Sequence, residues 1–272
     1  MTAATFFDIA TDAANDDARQ PHPLASTDHR PWPLPTAPWV MAQTWCDLLF
    51  AHWPLPAAAL QALLPPALTV DAFDGQGWLG IVPFKMRDVR PRGLPAAPWL
   101  SAFPELNVRT YVRLRDRGIE KRGVYFFSLD AANPIAVQIA RRTFWLPYFD
   151  AQMRAHNDGR TIHYASRRTH RGAPTADLVA GYAPSGAVYR ANSGDLDHWL
   201  TERYALYTVD RRGRPYIGEI HHAPWPLQPA AAEFLINTMA GAAAIRLPET
   251  APLLHFARKL QVVVWPIRPV EP

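Results

Sequence analysis

Alternation of apolar and polar side chains is clearest over residues 105–115, ELNVRTYVRLR. Leu106, Val108, Thr110, Val112 and Leu114 fall on one face of an extended strand, and Glu105, Asn107, Arg109, Tyr111 and Arg113 on the other. Asp116, Arg117 and Gly118 form a turn, and GVYFFSLD returns as a partner strand. VMAQTWCDLLFAHW (40–53) reads as the first strand, and Pro56 opens a short helix. A short strand at 70–73, the turn Asp74-Gly75 and WLGIVPF make a hairpin. Residues 87–104, with four prolines and a glycine, read as a long connection suited to a binding loop. Asn133 caps a helix that begins at Pro134 and is stopped by Pro147. Further strands are expected at 160–170, 177–191, 204–210 and 214–222, and a last one in KLQVVVWPI. Helices are expected near 195–202 and in PAAAEFLINTMAGAAA after Pro229. The pattern is α+β and mostly antiparallel β, and closure into a barrel would remove the sheet edges.

Composition narrows the class. The 272 residues are 49% hydrophobic, enough for one large core, and the ten Trp, twelve Phe and nine Tyr exclude a disordered chain. The 28 prolines argue against a long-helix bundle. Residues 1–37 lack periodicity and read as a mobile tail with one helical turn near its start, preceding a single domain over 38–272. The net charge of +4 comes with scattered arginines, which fits an ordinary solvated surface better than a nucleic-acid binder. One cysteine, Cys46, excludes an intramolecular disulfide and reads as a buried small hydrophobe. No apolar run approaches a membrane span and no leader is evident, so a cytoplasmic protein without membrane association is expected. The histidines show no metal-ligand spacing, and no nucleotide or hydrolase motif occurs, so neither metal nor cofactor is expected.

Two segments can carry chemistry. The polar face of 105–115 sets a carboxylate, an amide, a guanidinium and a phenol at spacing two; it is either a solvated face or a cavity wall. The segment ARRTFWLPYFDAQM (140–153) joins a helix bearing two arginines to an aromatic strand or turn. Arg141 is either a surface residue or a carboxylate holder. HHAPWPL (221–227) reads as core or pocket wall.

Five ordered blocks carry a resemblance: FPELNVRTYV, GVYFFSLDA, AVQIARRTFWLPYFDAQM, WLGIVPFKM and HHAPWPL. Over about 40–268 they resemble the YqjF-like proteins, a family of unknown function in the acetoacetate-decarboxylase-like superfamily. The resemblance implies a curved antiparallel sheet closing into a cone or barrel around a small cavity, with a few peripheral helices. It also implies a reference reaction, in which a lysine of depressed pKa forms a Schiff base with a keto acid. Glu105 and Arg141 match the superfamily's glutamate and helix arginine, whereas Tyr148 stands in the place of the lysine and Phe149 in that of its cationic neighbour. Lys85, Lys121 and Lys259 are the only lysines, and none lies in the matching block.

Two functions remain open on this basis, with a basic nucleic-acid binder as a weaker third. One is a cofactor-free enzyme, lyase-like or hydrolase-like, acting on a small carbonyl or carboxylic compound. In it Glu105 and Tyr148 would be catalytic, and Asn107, Arg109, Tyr111, Tyr125 and Arg141 would bind the ligand. The other is a non-catalytic sensor or carrier using the same pocket, with self-association open in both.

Overall fold

The structure is a computed structural model that describes residues 22–271. Thirteen strands form one sheet. In chain order the elements are β1 (Met41–Pro56), α1 (Ala57–Gln61), β2 (Thr69–Val70), β3 (Gln76–Pro91), β4 (Phe103–Asp116), β5 (Ile119–Ala131), α2 (Pro134–Thr143) and β6 (Tyr148–Asn157). They continue with β7 (Ile162–Arg168), β8 (Asp177–Pro184), α3 (Leu196–Thr201), β9 (Ala205–Val209), β10 (Pro215–His222), β11 (Gln228–Asn237), β12 (Leu253–Val264) and β13 (Arg268–Pro269).

The strands β12, β1, β3, β4 and β5 form a continuous antiparallel wall. Both of its edges fork. β5 pairs in parallel with β9 at Val124–Tyr125 and with β6 at Leu129–Ala131. β12 pairs with β11 at one end and with β10 at the other. The sheet therefore curls into a ring, closed on one side through β9 and β10 and on the other through β6, β7, β8 and β11. The parallel β5–β9 join depends on Gly123, because a Cβ there would sit 2.5 Å from the carbonyl oxygen of Ala205. The β5–β6 join is made by the α2 crossover, the connection that parallel pairing requires.

The wall is buried on both faces. Leu49, Ala51, Ile81, Leu106 and Val108 belong to the main apolar cluster, together with Tyr164 and Tyr182 from the four-stranded side. Leu48, Phe50, Val82, Phe84 and Met86 face the other way. Each fully buried side chain of this size stabilises the fold by roughly 1.5–3 kcal/mol. Asp47 and Asp88, both at positive φ, stand near the two register shifts between β1 and β3. Such irregularities bend strands and help a sheet to curl.

Three expectations are corrected. PAAAEFLINTMAGAAA does not form a helix; β11 runs through it, paired along seven positions with β8. Its alanines and Phe234 alternate between half-buried and exposed, so strand pairing outweighs alanine's helix propensity. Residues 22–37 are not a loose tail. Trp32 and Arg30 are buried, and both donate to Glu219 on β10, at 2.7 and 2.6 Å. Residues 1–21, including the expected helical turn, lie outside the described residues. Finally, β3 runs on to Pro91, so the long connection shortens to 92–102. Among the described residues no helix is long and apolar enough to cross a membrane.

Candidate functional site

The polar face of β4 looks inward. Glu105, Asn107 and Arg109 line a cavity of about 780 Å3 between the wall, β9 and β10, with α2 across its mouth. Arg109 is 8% exposed, and Glu105 only 2%. The rest of the lining is mainly apolar, including Trp45, Phe84, Phe126 and Trp225. Ile135 and Ile139 on α2 and Leu94 in the 92–102 loop form an apolar rim that is more than half exposed.

A bulge sets which β5 residues enter the cavity. Val108 pairs with Ser128 and Arg109 with Phe126, which leaves Phe127 unpaired. Val124, Phe126 and Leu129 consequently all reach the cavity despite their mixed parity. Leu129 then pairs with Tyr148 on β6, bringing the tyrosine over the polar face of β4. The Tyr148 hydroxyl donates to Glu105 Oε2 at 3.0 Å. The Glu105 carbonyl accepts from the Tyr164 hydroxyl at 2.7 Å, so the glutamate is anchored from behind.

Burial pushes the Glu105 carboxyl up to about 8; the Tyr148 hydrogen bond opposes that rise, and the nearby charge of Asp130 adds to it. Glu105 is therefore a neutral acid at pH 7. The Tyr148 phenol is raised well above its ordinary value by burial and by Glu105. Asp130 is fixed by Arg168, whose Nε and Nη2 donate to it at 2.6 and 2.7 Å.

Arg109 stands in contrast. No carboxylate among the described residues pairs with it, and its Nε has no partner. Its one hydrogen bond is a long contact of 3.5 Å from Nη2 to the Tyr111 hydroxyl. The guanidinium rests over Phe50, 5.2 Å from the ring centroid. Burying an unpaired cation is costly. Asn107 Oδ1 is also without a partner. Behind Arg109, His52 Nε2 and the Tyr111 hydroxyl share a hydrogen bond of 2.6 Å. Burial, with the charge of Arg109, holds His52 well below the usual imidazole range and so uncharged. Gly80 makes room for this layer, since a Cβ there would stand 3.2 Å from the His52 ring and 3.4 Å from Arg109.

Glu105, Asn107, Arg109 and Tyr148 thus converge, whereas three expected ligand contacts do not. Tyr111 is fully buried behind Arg109 and does not line the cavity. Tyr125 faces the opposite side of β5, as the alternation with Val124 and Phe126 requires. Arg141 lies outside, and its Nη1 donates to the Tyr148 carbonyl at 2.5 Å. Its role in the architecture is to hold the Tyr148 backbone. Arg203 and His222 also line the cavity; the sequence gives no signal for Arg203, and His222 lies in HHAPWPL, which reads as core or pocket wall. Arg203 is engaged by Asp71 and the Trp199 carbonyl, both at 2.6 Å, and is less available than Arg109.

No lysine lines the cavity. Lys85 points away from Phe84 and Met86 and pairs with Asp47 at 2.7 Å, and Lys121 pairs with Asp116 and Glu219. Among the described residues no cluster of three or more His, Cys, Asp or Glu is placed to hold a metal ion.

The fold is that of the acetoacetate-decarboxylase-like proteins. It is similar to acetoacetate decarboxylase from Legionella pneumophila, with a TM-score of 0.55, 14% identity and coverage of 90% of this chain and 93% of that one. It is equally similar to an acetoacetate decarboxylase-like enzyme from Sphingomonas wittichii RW1, with a TM-score of 0.56, 14% identity and coverage of 86% and 94%. The enduracididine biosynthesis enzyme MppR complexed with pyruvate gives a TM-score of 0.55 at 9% identity, covering 86% and 91%. At these identities the likeness concerns the fold. Within it, the chain belongs to the DUF2071 family, described as "uncharacterized conserved protein (COG2071)", which it matches over residues 42–261. It is 47% identical over 235 residues to the uncharacterized protein YqjF of Bacillus subtilis (strain 168), covering 86% of this chain and 94% of that protein.

Proposed function

We propose that the cavity takes a carboxylic compound with a largely apolar body, and that Glu105 and Tyr148 exchange a proton with it. The observation that carries this reading is Arg109, a buried guanidinium on the cavity wall with no carboxylate partner of its own. A ligand carboxylate would complete it through the planar fork that suits arginine. The size and apolar lining of the cavity favour a body of more than a few carbons.

Glu105, with its pKa near the working pH, is suited to give a proton to a carbonyl compound and take it back. Tyr148 holds that carboxyl and offers a second hydroxyl. Schiff-base chemistry finds no amine in this cavity. That MppR was solved with pyruvate adds a carboxylate precedent in the same fold.

The test is incubation with 2-oxo and 3-oxo acids of increasing chain length in D2O. Deuterium entering beside the carbonyl, or consumption of the acid, supports the enzymatic reading. The apolar wall also suits a sensor or carrier; a raised Tm with neither exchange nor consumption selects that reading. Absence of any binding removes both.

A further inference from the structure

A second basin, of about 790 Å3, opens on the outer side of β5, beyond Phe126 and Leu146, which it shares with the central cavity. Five arginines line it. Arg141 and Arg142 come from the last turn of α2, and Arg211, Arg212 and Arg214 from the turn between β9 and β10. The basin has one carboxylate, Asp210, and it is already used. It accepts from Arg214 Nε at 2.7 Å and from the backbone amides of Arg212 and Arg214. No carboxylate among the described residues pairs with Arg141, Arg142, Arg211 or Arg212. Arginines usually scatter over a surface or pair with carboxylates. Here four of them converge on one concavity without a counter-charge.

The walls are aromatic. Tyr125, Trp145 and Tyr207 all contribute. Trp145 has a φ of 50°, in the left-handed region that a bulky residue enters only under constraint. That constraint is visible: the Thr208 hydroxyl donates to its carbonyl at 2.9 Å, and its ring meets Tyr216 edge to face at 4.4 Å. The indole remains 41% exposed. A strained backbone thus holds a large apolar ring at the basin instead of withdrawing it into the core.

We propose that this basin is a second ligand site, built for a phosphorylated aromatic compound of the nucleoside polyphosphate class. The arginine forks match phosphate oxygens, and the 41% exposed indole of Trp145 gives a planar ring a face to lie on, beside the partly buried Tyr125.

The test is calorimetric titration of the full chain with ATP, inorganic pyrophosphate and adenosine, repeated on the R211A/R212A variant. Both substituted residues lie in an exposed turn, and equal thermal melts confirm that the variant is folded. Saturable ATP binding, about tenfold or more tighter than that of pyrophosphate or adenosine and weakened about tenfold or more in the variant, is expected. Equal affinity for ATP and pyrophosphate would reduce the basin to general anion attraction and overturn the proposal. Absence of saturable ATP binding, or unchanged binding by the variant, also overturns it.

Discussion

The hydroxyl of Tyr148 and the carboxyl of Glu105 meet at 3.0 Å although they come from strands that do not pair with each other. β5 lies between them, and the parallel join of Leu129 with Tyr148 sets the register that lets the phenol reach across. Removing the hydroxyl removes the one hydrogen bond that favours the ionised carboxylate. In Tyr148→Phe the Glu105 pKa should therefore move above about 8. Infrared titration of the carboxyl band checks this. An unchanged or lower value would mean that the hydroxyl is not bonded to Glu105 in solution. Deuterium exchange into a bound oxo acid should fall in the same variant.

Glu105 also has a consequence for stability. Its folded pKa of about 8 stands above the ordinary 4.5, so the folded state keeps a proton that the unfolded chain has released. The contribution is fully present below about pH 4.5 and is lost as pH rises through about 8. Glu105→Gln does not titrate. Relative to wild type, the variant should gain up to ~1.4 kcal/mol per pH unit across that window. Urea denaturation of both proteins at pH 5 and pH 8 measures the difference, in which the other titrating groups cancel. A pH-independent difference would remove the raised pKa.

Glu219 is a central anchor of the segment 22–37, beside backbone contacts such as His29 to the His222 carbonyl at 2.8 Å. Glu219 accepts from Arg30, Trp32 and Lys121, at 2.6, 2.7 and 2.9 Å. Glu219→Ala leaves two buried cations without this partner, which costs about 3–5 kcal/mol when such a pair is broken. Hydrogen exchange at the Arg30 backbone amide should accelerate in parallel. A variant of wild-type stability with a protected Arg30 would contradict the packing.

Much of this was legible in the chain. The alternation over 105–115 identified β4 and sorted its polar face, because a strand buried on both sides still segregates its side chains by parity. Which side held a cavity was not legible, since an exposed polar face shows the same pattern. Tyr125 was misplaced because its orientation depends on which face of the β5 hairpin partner looks inward. Arg203 gave no signal. It sits in no periodic run, and its carboxylate partner Asp71 lies 132 residues away. β11 was hidden by composition, as an alanine-rich run after a proline favours a helix locally and only its ladder with β8 decides otherwise. The 22–37 segment was obscured for a similar reason: its order comes from partners nearly 190 positions or more downstream, Glu219 and His222 among them.

Arg109 is the proposed anchor for the ligand carboxylate, on which the assigned function depends. The direct measurement is the thermal shift given by a medium-chain alkanoate and by the alcohol of the same length, on wild type and on Arg109→Met. At about a hundred times its Kd the alkanoate should stabilise wild type by about 2.7 kcal/mol. The alcohol should do much less, and the variant should lose the preference while keeping or gaining basal stability, because a buried unpaired charge has been removed. Equal stabilisation by acid and alcohol, or a preference for the acid that survives in Arg109→Met, would contradict the account.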